Sequence, residues 1–420
     1  MGRTSRKKRS GPAPVEHVEL RGERGGRRLL AAGLLLAMGL GLVAYAVTQL
    51  FTPQSEWITV EAGVEEGATC GGEFTFLYRL GAEGMSPREE RRTVTECYTQ
   101  LCRKAYQMFQ TREAFADMAS LRTINSQPNT ALEVEPALYR ALWEMEESGS
   151  RALYLGPVYS RYEGVFFCQE DRELADFDPR LNEEIRREFQ TIADFANDPD
   201  SIQLELLGEG RVCLRVSEEY LAWAQREDID TFIDFAWMRN AFVADYLARE
   251  LEFAGYGRGV LSSYDGFVRN MDSEAYTLLL YDRQGQTVYT AAEIAYQGPQ
   301  SAVSLRNFPV SELDSWRFYQ LENGGIRTWY LDPADGLCRS AVPSLTCYGT
   351  DWGCGEILLA MLPVYVADEL RAEELDRLAE AGVQSVYCQG GVIYHTDPQL
   401  PLTELHEAPG STGAVLSGES

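Results

Sequence analysis

The sequence predicts an α+β fold, a mixed sheet with packed helices, preceded by one N-terminal transmembrane helix. Three observations predict it. An uninterrupted apolar run lies near the N-terminus, apolar residues recur at helical spacing in the first and last thirds, and short β-rich segments crowd the stretch from Tyr276 to Tyr330. With 420 residues, 45% of them hydrophobic and 11% aromatic, the chain can bury a sizeable core.

The apolar run, Leu29 to Phe51, carries no charge, and none follows before Glu56. It is long enough to cross roughly 30 Å of hydrocarbon as a helix. Residues 1–28 hold nine Lys/Arg against three Glu, a net of +6. That basic flank belongs in the cytoplasm, which places the rest outside as the extracytoplasmic part of a single-pass protein of the cell membrane. A cleaved signal peptide has a shorter apolar core and a small-x-small site, so anchoring is the expectation. The organisation read from this is a basic cytoplasmic segment (1–28), a transmembrane anchor (29–51), a linker (52–72), an extracytoplasmic domain (73–400) and a disordered tail (401–420) rich in Pro, Gly, Ser and Glu.

Within the domain, Val94, Cys97, Leu101, Ala105 and Met108 mark a helix over 87–110. Pro136 opens a second that stops near Gly149, and a third spans about 180–195. IQLEL and VCLRV, joined across Gly208 and Gly210, form a hairpin. Thr231 to Phe235 is expected to be a short strand turning into a helix that ends near Gly255, after which GVLSS starts another strand. YTLLLYD, QTVYTAA, AVSLRNF, WRFYQL and RTWYL, separated by turn residues, indicate an antiparallel sheet. Helices over 356–362 and 367–381 and strands over 385–388 and 391–395 complete the domain.

Composition excludes several functions. The whole chain has a net charge of -26, so residues 29–420 carry -32, and a polyanionic domain repels phosphate backbones; nucleic acid is excluded as a ligand. Nine cysteines (70, 97, 102, 168, 213, 338, 347, 354, 388) include no CxxC pair, so no zinc site is readable. They read as buried small apolar side chains, with disulfides the alternative outside the membrane. His17 and His406 fall in the expected tails, leaving His395 alone in the folded part, too little for Ser-His-Asp catalysis or a histidine metal cluster.

Four segments, DFAWMRNAFVAD, SSYDGFVRN, RTWYLDPADG and SLTCYGTDWGCGEILLAML, follow one another in the chain, and read in that order they resemble the signature blocks of the FAD:protein FMN transferases, the ApbE-type flavin transferases. DFAWMRNAFVAD, Asp234 to Asp245, aligns without a gap on the family's Asp-x-Gly-Gly-x-x-Lys-Gly-x-x-x-Asp turn from strand to helix. Both aspartates are present, Ala236 and Trp237 stand at the glycine pair, and Asn240 and Ala241 stand at Lys-Gly, which removes a phosphate-facing cation. The residues alone allow a plainer reading, in which Asp234 caps the helix and Asp245 is solvated. SSYDGFVRN is similar to the family's Gly-Gly-Asp block, keeping Gly266 but placing Asp265 and Phe267 at the flanking Gly and Asp.

RTWYLDPADG resembles Arg-x-x-His-x-x-Asp-Pro-x-x-Gly, with Arg327, Asp332, Pro333 and Gly336 kept and Trp329 at the histidine. SLTCYGTDWGCGEILLAML is similar to the strand, loop and helix that carry the family's Mg²⁺ ligands, an Asp and a Thr four apart; Glu356 and Ala360 occupy those positions, and Ala360 cannot ligate. Glu356 reads equally as an N-terminal helix acid. Upstream, Ile124 and Asn125 match the family's Leu-Asn, Ala119 stands at the preceding Ser, and Gly156 and Pro157 remain of a Gly-Pro motif.

The resemblance implies an ApbE-like fold, FAD as cofactor, Mg²⁺ at an impaired site and a flavoprotein partner. It implies family-equivalent catalytic positions at Asn240, Trp329 and Asp332, flavin-binding positions at Asn125, Asp234, Gly266 and Asp332, and a metal position at Glu356. Five departures across four blocks point to a flavin-transferase-like protein that no longer catalyses and retains flavin, nucleotide or protein binding, because losses in a cooperative site compound. The alternatives are an active Mg²⁺-dependent transferase that flavinylates Thr or Ser of extracytoplasmic flavoproteins, and an unrelated surface interaction protein.

Overall fold

The computed structural model describes residues 56–63, 69–82 and 84–407, and the backbone of 414–417. The expected membrane span, 29–51, and the basic segment before it lie outside the described residues; among those described, no helix is long and apolar enough to cross a membrane.

The scaffold is a mixed nine-stranded sheet. Its strands are β1 (Trp57–Val60), β2 (Phe74–Arg79), β6 (Gly259–Ser263), β7 (Phe267–Asn270), β10 (Gln300–Arg306), β13 (Ser344–Gly349), β14 (Gln384–Gln389), β15 (Val392–His395) and β17 (Ala414–Ser417), in that spatial order. Neighbours pair antiparallel except β15 with β17, which are parallel. Side chains alternate between the faces. Leu261, Phe267, Val303, Leu305 and Cys347 join the larger core beneath the helices, while Val260, Val268, Ala302, Tyr348 and Val386 join a second core. That second core is closed by a three-stranded sheet of β8 (Ala275–Gln284), β9 (Thr287–Gln297) and β16 (Leu402–Leu405).

The helical side is built from α1 (Pro87–Met108), started by a Ser86 cap and Pro87 in its first turn, and from α7 (Arg239–Phe253) and α8 (Cys354–Tyr365). Helix α7 buries Ala241, Phe242, Val243, Ala244, Tyr246, Leu247, Ala248 and Leu251, so it is apolar almost all round and lies at the centre of the helical layer against β6 and β7. Shorter helices α2 (Leu121–Ser126), α3 (Pro136–Glu147), α4 (Gly156–Tyr162), α5 (Glu183–Asn197), α6 (Glu218–Arg226) and α9 (Ala372–Glu380) and a small sheet of β3 (Ala131–Glu133), β4 (Ile202–Gly208) and β5 (Arg211–Val216) complete it. A ribbon of β11 (Phe318–Gln320) and β12 (Ile326–Thr328) stands apart from these sheets.

Several expectations are corrected. The linker assigned to 52–72 contains β1, an edge strand paired to β2 along its whole length. The tail assigned to 401–420 contains β16 and β17, and His406 donates its backbone N–H to Ala291 O (2.9 Å), because open edges of both sheets accept these segments. Residues 231–235 form no strand. Their backbone is satisfied by the Asn125 side chain and by Leu153 O, which accepts from Asp234 N at 2.9 Å. All nine cysteines are free thiols, seven of them buried.

Candidate functional site

The segment that leaves Asn125 and enters α7 turns at Ala236, whose φ of 45° is left-handed. A non-glycine residue there is strained by roughly 1 kcal/mol, and the turn is held because Asp234 Oδ1 accepts the Ala236 N–H at 2.8 Å. The chain thus keeps the backbone that a glycine would adopt freely and carries a methyl group on it. Beyond the turn, Trp237, Arg239 and Asn240 face a cleft of about 820 Å³, also lined by Glu73, Tyr159, Asp234, Asp265, Trp316, Arg317 and Trp329.

The polar floor of this cleft is a single network. The Asn240 amide donates to Glu73 Oε2 and to Asp265 Oδ2, each at 3.0 Å. Arg239 pairs with Glu73, and Arg317 pairs with Asp265. The remaining two arginines of the cleft are paired at its rim, Arg112 with Glu163 and Arg122 with Asp230. Seven carboxylates (Glu73, Glu113, Glu163, Asp230, Asp234, Asp265, Asp314) meet four lining guanidinium groups and Arg306, which pairs with Asp314 at 3.2 Å behind the wall, a net of -2. Burial pushes the Asp234 carboxyl up from 3.8 to about 6, against the opposing pull of the Ala236 N–H and Arg239.

The residues expected from the sequence divide between three places. Asn240, Trp329 and Asp234 share the cleft, with Trp329 stacked on Phe166 at 4.5 Å between ring centres. Asp332 lies elsewhere: it caps a turn by accepting Ala334 N (2.9 Å) and pairs with Arg339 (2.9 Å) beside a different cavity. Asn125 is 2% exposed and spends its amide on the backbone of 232–233, so it shapes the cleft wall without facing it. Gly266, at φ 103°, is required because a Cβ would come within 2.2 Å of Ser304 O; its role is close strand approach. Phe267 is buried in the core and does not crowd the cleft.

Glu356 faces a separate pocket of about 330 Å³ with Glu144 and Asp245. It accepts the N-cap Gly353 N at 2.8 Å, and Asp245 receives Cys354 N and Gly355 N, each at 2.8 Å. Asp245 is therefore the cap of a neighbouring helix rather than a solvated side chain. A divalent cation does not fit these residues as they stand. The carboxylates of Glu356 and Asp245 are turned to backbone N–H groups, Glu144 is held by Arg140 (2.9 Å), and Ala360 supplies no oxygen.

Sequence reading missed Glu73, Arg239 and Arg317. Glu73 ends a short turn placed at the boundary of the supposed linker, and Arg317 comes from a loop 77 positions after Asn240, so no local motif signals either.

No family model and no curated protein matches the sequence. The structure matches solved ones: it is similar to the ApbE protein of Thermotoga maritima with a TM-score of 0.52 at 13% identity, covering 79% of this chain and 94% of that one. It is similar to the flavin transferase ApbE from Vibrio cholerae with a TM-score of 0.50 at 11% identity, covering 80% and 93%. The chain has an ApbE-like fold, in a strongly divergent sequence.

Proposed function

We propose that this chain is an ApbE-type scaffold from which flavin transfer has been lost, anchored to a membrane by residues 29–51 with its folded domain on the extracytoplasmic side. The observation that carries the loss is the state of the cleft's cations. Each of its four arginines is already paired with a carboxylate, and Asn240, at the position where the resemblance expects lysine, is hydrogen-bonded to two of those same carboxylates, Glu73 and Asp265. A pyrophosphate entering a cleft of net charge -2 would meet no uncommitted positive charge. The occupied carboxylates around Glu356 support the same reading, since they deprive a phosphate-neutralising metal of ligands.

The test is direct. The purified full-length chain, incubated with FAD, Mg²⁺ and an acceptor flavoprotein bearing a Thr or Ser acceptor, is expected to leave the acceptor without covalent flavin fluorescence on a denaturing gel. A fluorescent acceptor band establishes the active transferase instead. For the anchor, the chain is expected in the membrane fraction after alkaline washing and open to protease from the outer face; release by washing removes that part of the proposal.

A further inference from the structure

If the cleft no longer serves a dinucleotide, its surviving chemistry still describes a ligand. Of the buried polar atoms on its wall, Asp265 Oδ1 and Trp329 Nε1 have no protein partner, while Trp237 Nε1 and the Tyr159 hydroxyl lie within reach of each other. The Asp265 side chain is 7% exposed and its Oδ2 is taken by Arg317 and Asn240, so Oδ1 is a desolvated acceptor left open, at a cost of roughly 1–3 kcal/mol. Such atoms persist where something else completes them. Their kinds are informative. One is a carboxylate oxygen acceptor and the other a neutral donor, so the complement carries both a donor and a neutral oxygen acceptor, as a hydroxyl-bearing ligand does.

The rest of the wall agrees. Asp234 has no arginine within ion-pair distance among the described residues, and it adds a second carboxylate facing the cleft. Trp316, 61% exposed, and the half-buried Trp329 offer indole faces of the kind that attract an ammonium group and pack against C–H surfaces. The volume of about 820 Å³ is ample for a compact ring and its substituents.

Resting on the reading that flavin transfer is lost, we infer that this cleft binds a hydroxyl-rich amine of the amino-sugar type, its ammonium group neutralised by Asp234, a hydroxyl donating to the open Asp265 Oδ1 and another accepting from the Trp329 indole. Charge complementarity supplies the selectivity: the neutral sugar has the same shape and lacks the one group that the excess carboxylates demand.

The experiment is calorimetric titration of the full-length chain in detergent at pH 7 with glucosamine, with glucose as the neutral isostere, and with FAD. Glucosamine is expected to bind and glucose to bind at least tenfold more weakly. Asp234→Asn, which keeps an oxygen for the Ala236 N–H, is expected to weaken glucosamine about tenfold. Trp329→Phe, which keeps the stack on Phe166 and removes the N–H, is expected to weaken both sugars severalfold. Equal binding of glucose and glucosamine, or binding of neither, overturns the inference and leaves the loss of transfer standing. FAD binding without covalent transfer overturns the inference alone, whereas covalent transfer to an acceptor overturns the reading beneath it.

Discussion

Asn125 holds Ile233 by both of its backbone groups: Nδ2 donates to Ile233 O and Oδ1 accepts Ile233 N, each at 2.9 Å. One side chain therefore replaces the neighbouring strand that Thr231 to Phe235 would need to lie in a sheet. Because Oδ1 also accepts Phe232 N at 2.9 Å, Asn125→Ala leaves three buried backbone groups unpaired. We expect a loss of about 3 kcal/mol in urea unfolding, with Asn125→Asp intermediate because it retains the acceptor and loses the donor. A loss under about 0.5 kcal/mol for Ala would show that the clamp is replaceable by water.

Ala236 holds φ 45° in a turn where the resemblance expects glycine. Ala236→Gly removes the strain and adds chain entropy to the unfolded state, and the first effect is the larger in a left-handed conformation. The variant is expected to gain about 0.5–1 kcal/mol in thermal or urea unfolding. Gly266→Ala is the opposite case. At φ 103° with Ser304 O only 2.2 Å from the new Cβ, it is expected to cost at least about 3 kcal/mol, because the obstacle is backbone of a central strand. Near-neutral behaviour of Gly266→Ala would contradict the close strand approach.

Asp234 makes stability depend on pH in a predictable direction. Burial raises its carboxyl from 3.8 to about 6, while the Ala236 N–H, Arg239 and Arg112 oppose the rise and Glu163 adds to it. The folded chain thus binds this proton more tightly than the unfolded chain. Its contribution to stability is full below 3.8, falls as pH rises, and is gone above about 6. Asp234→Asn is expected to stabilise the protein by about 1 kcal/mol above that range, a figure discounted for the partial exposure of the group, and to flatten the profile below it. A profile unchanged by the substitution would mean that the carboxyl titrates normally.

Mg²⁺ is expected to leave the melting temperature of the full-length chain unchanged at millimolar concentration, since the Glu356 and Asp245 carboxylates cap helix α8. Glu356→Ala should cost about 1 kcal/mol by removing the acceptor of the N-cap Gly353 N–H, with no change in the response to the ion. A melting temperature that climbs with Mg²⁺ and loses that response in Glu356→Ala would restore the metal site.

The sequence by itself determined the elements whose causes are local. Pro87 starts α1, Gly208 and Gly210 turn the hairpin, and the apolar spacing of Val94, Ala105 and Met108 marks the buried face of α1, so these were readable from spacing and turn chemistry. The ApbE-like arrangement was readable from the order of the four blocks even where the polar residues had changed. Only the tertiary structure decided which polar residues meet. Asn240 reaches Glu73 across 167 positions and Asp265 across 25, and Arg317 closes the network from a loop that no pattern singles out. It also separated Asp332 and Glu356 from the cleft, although the motifs that carry them had been read as one site. The physical reason is range. Caps, turns and alternation act over a few residues and leave a periodic trace, whereas ion pairs and buried hydrogen bonds depend on where distant segments are brought by packing, which no local spacing records.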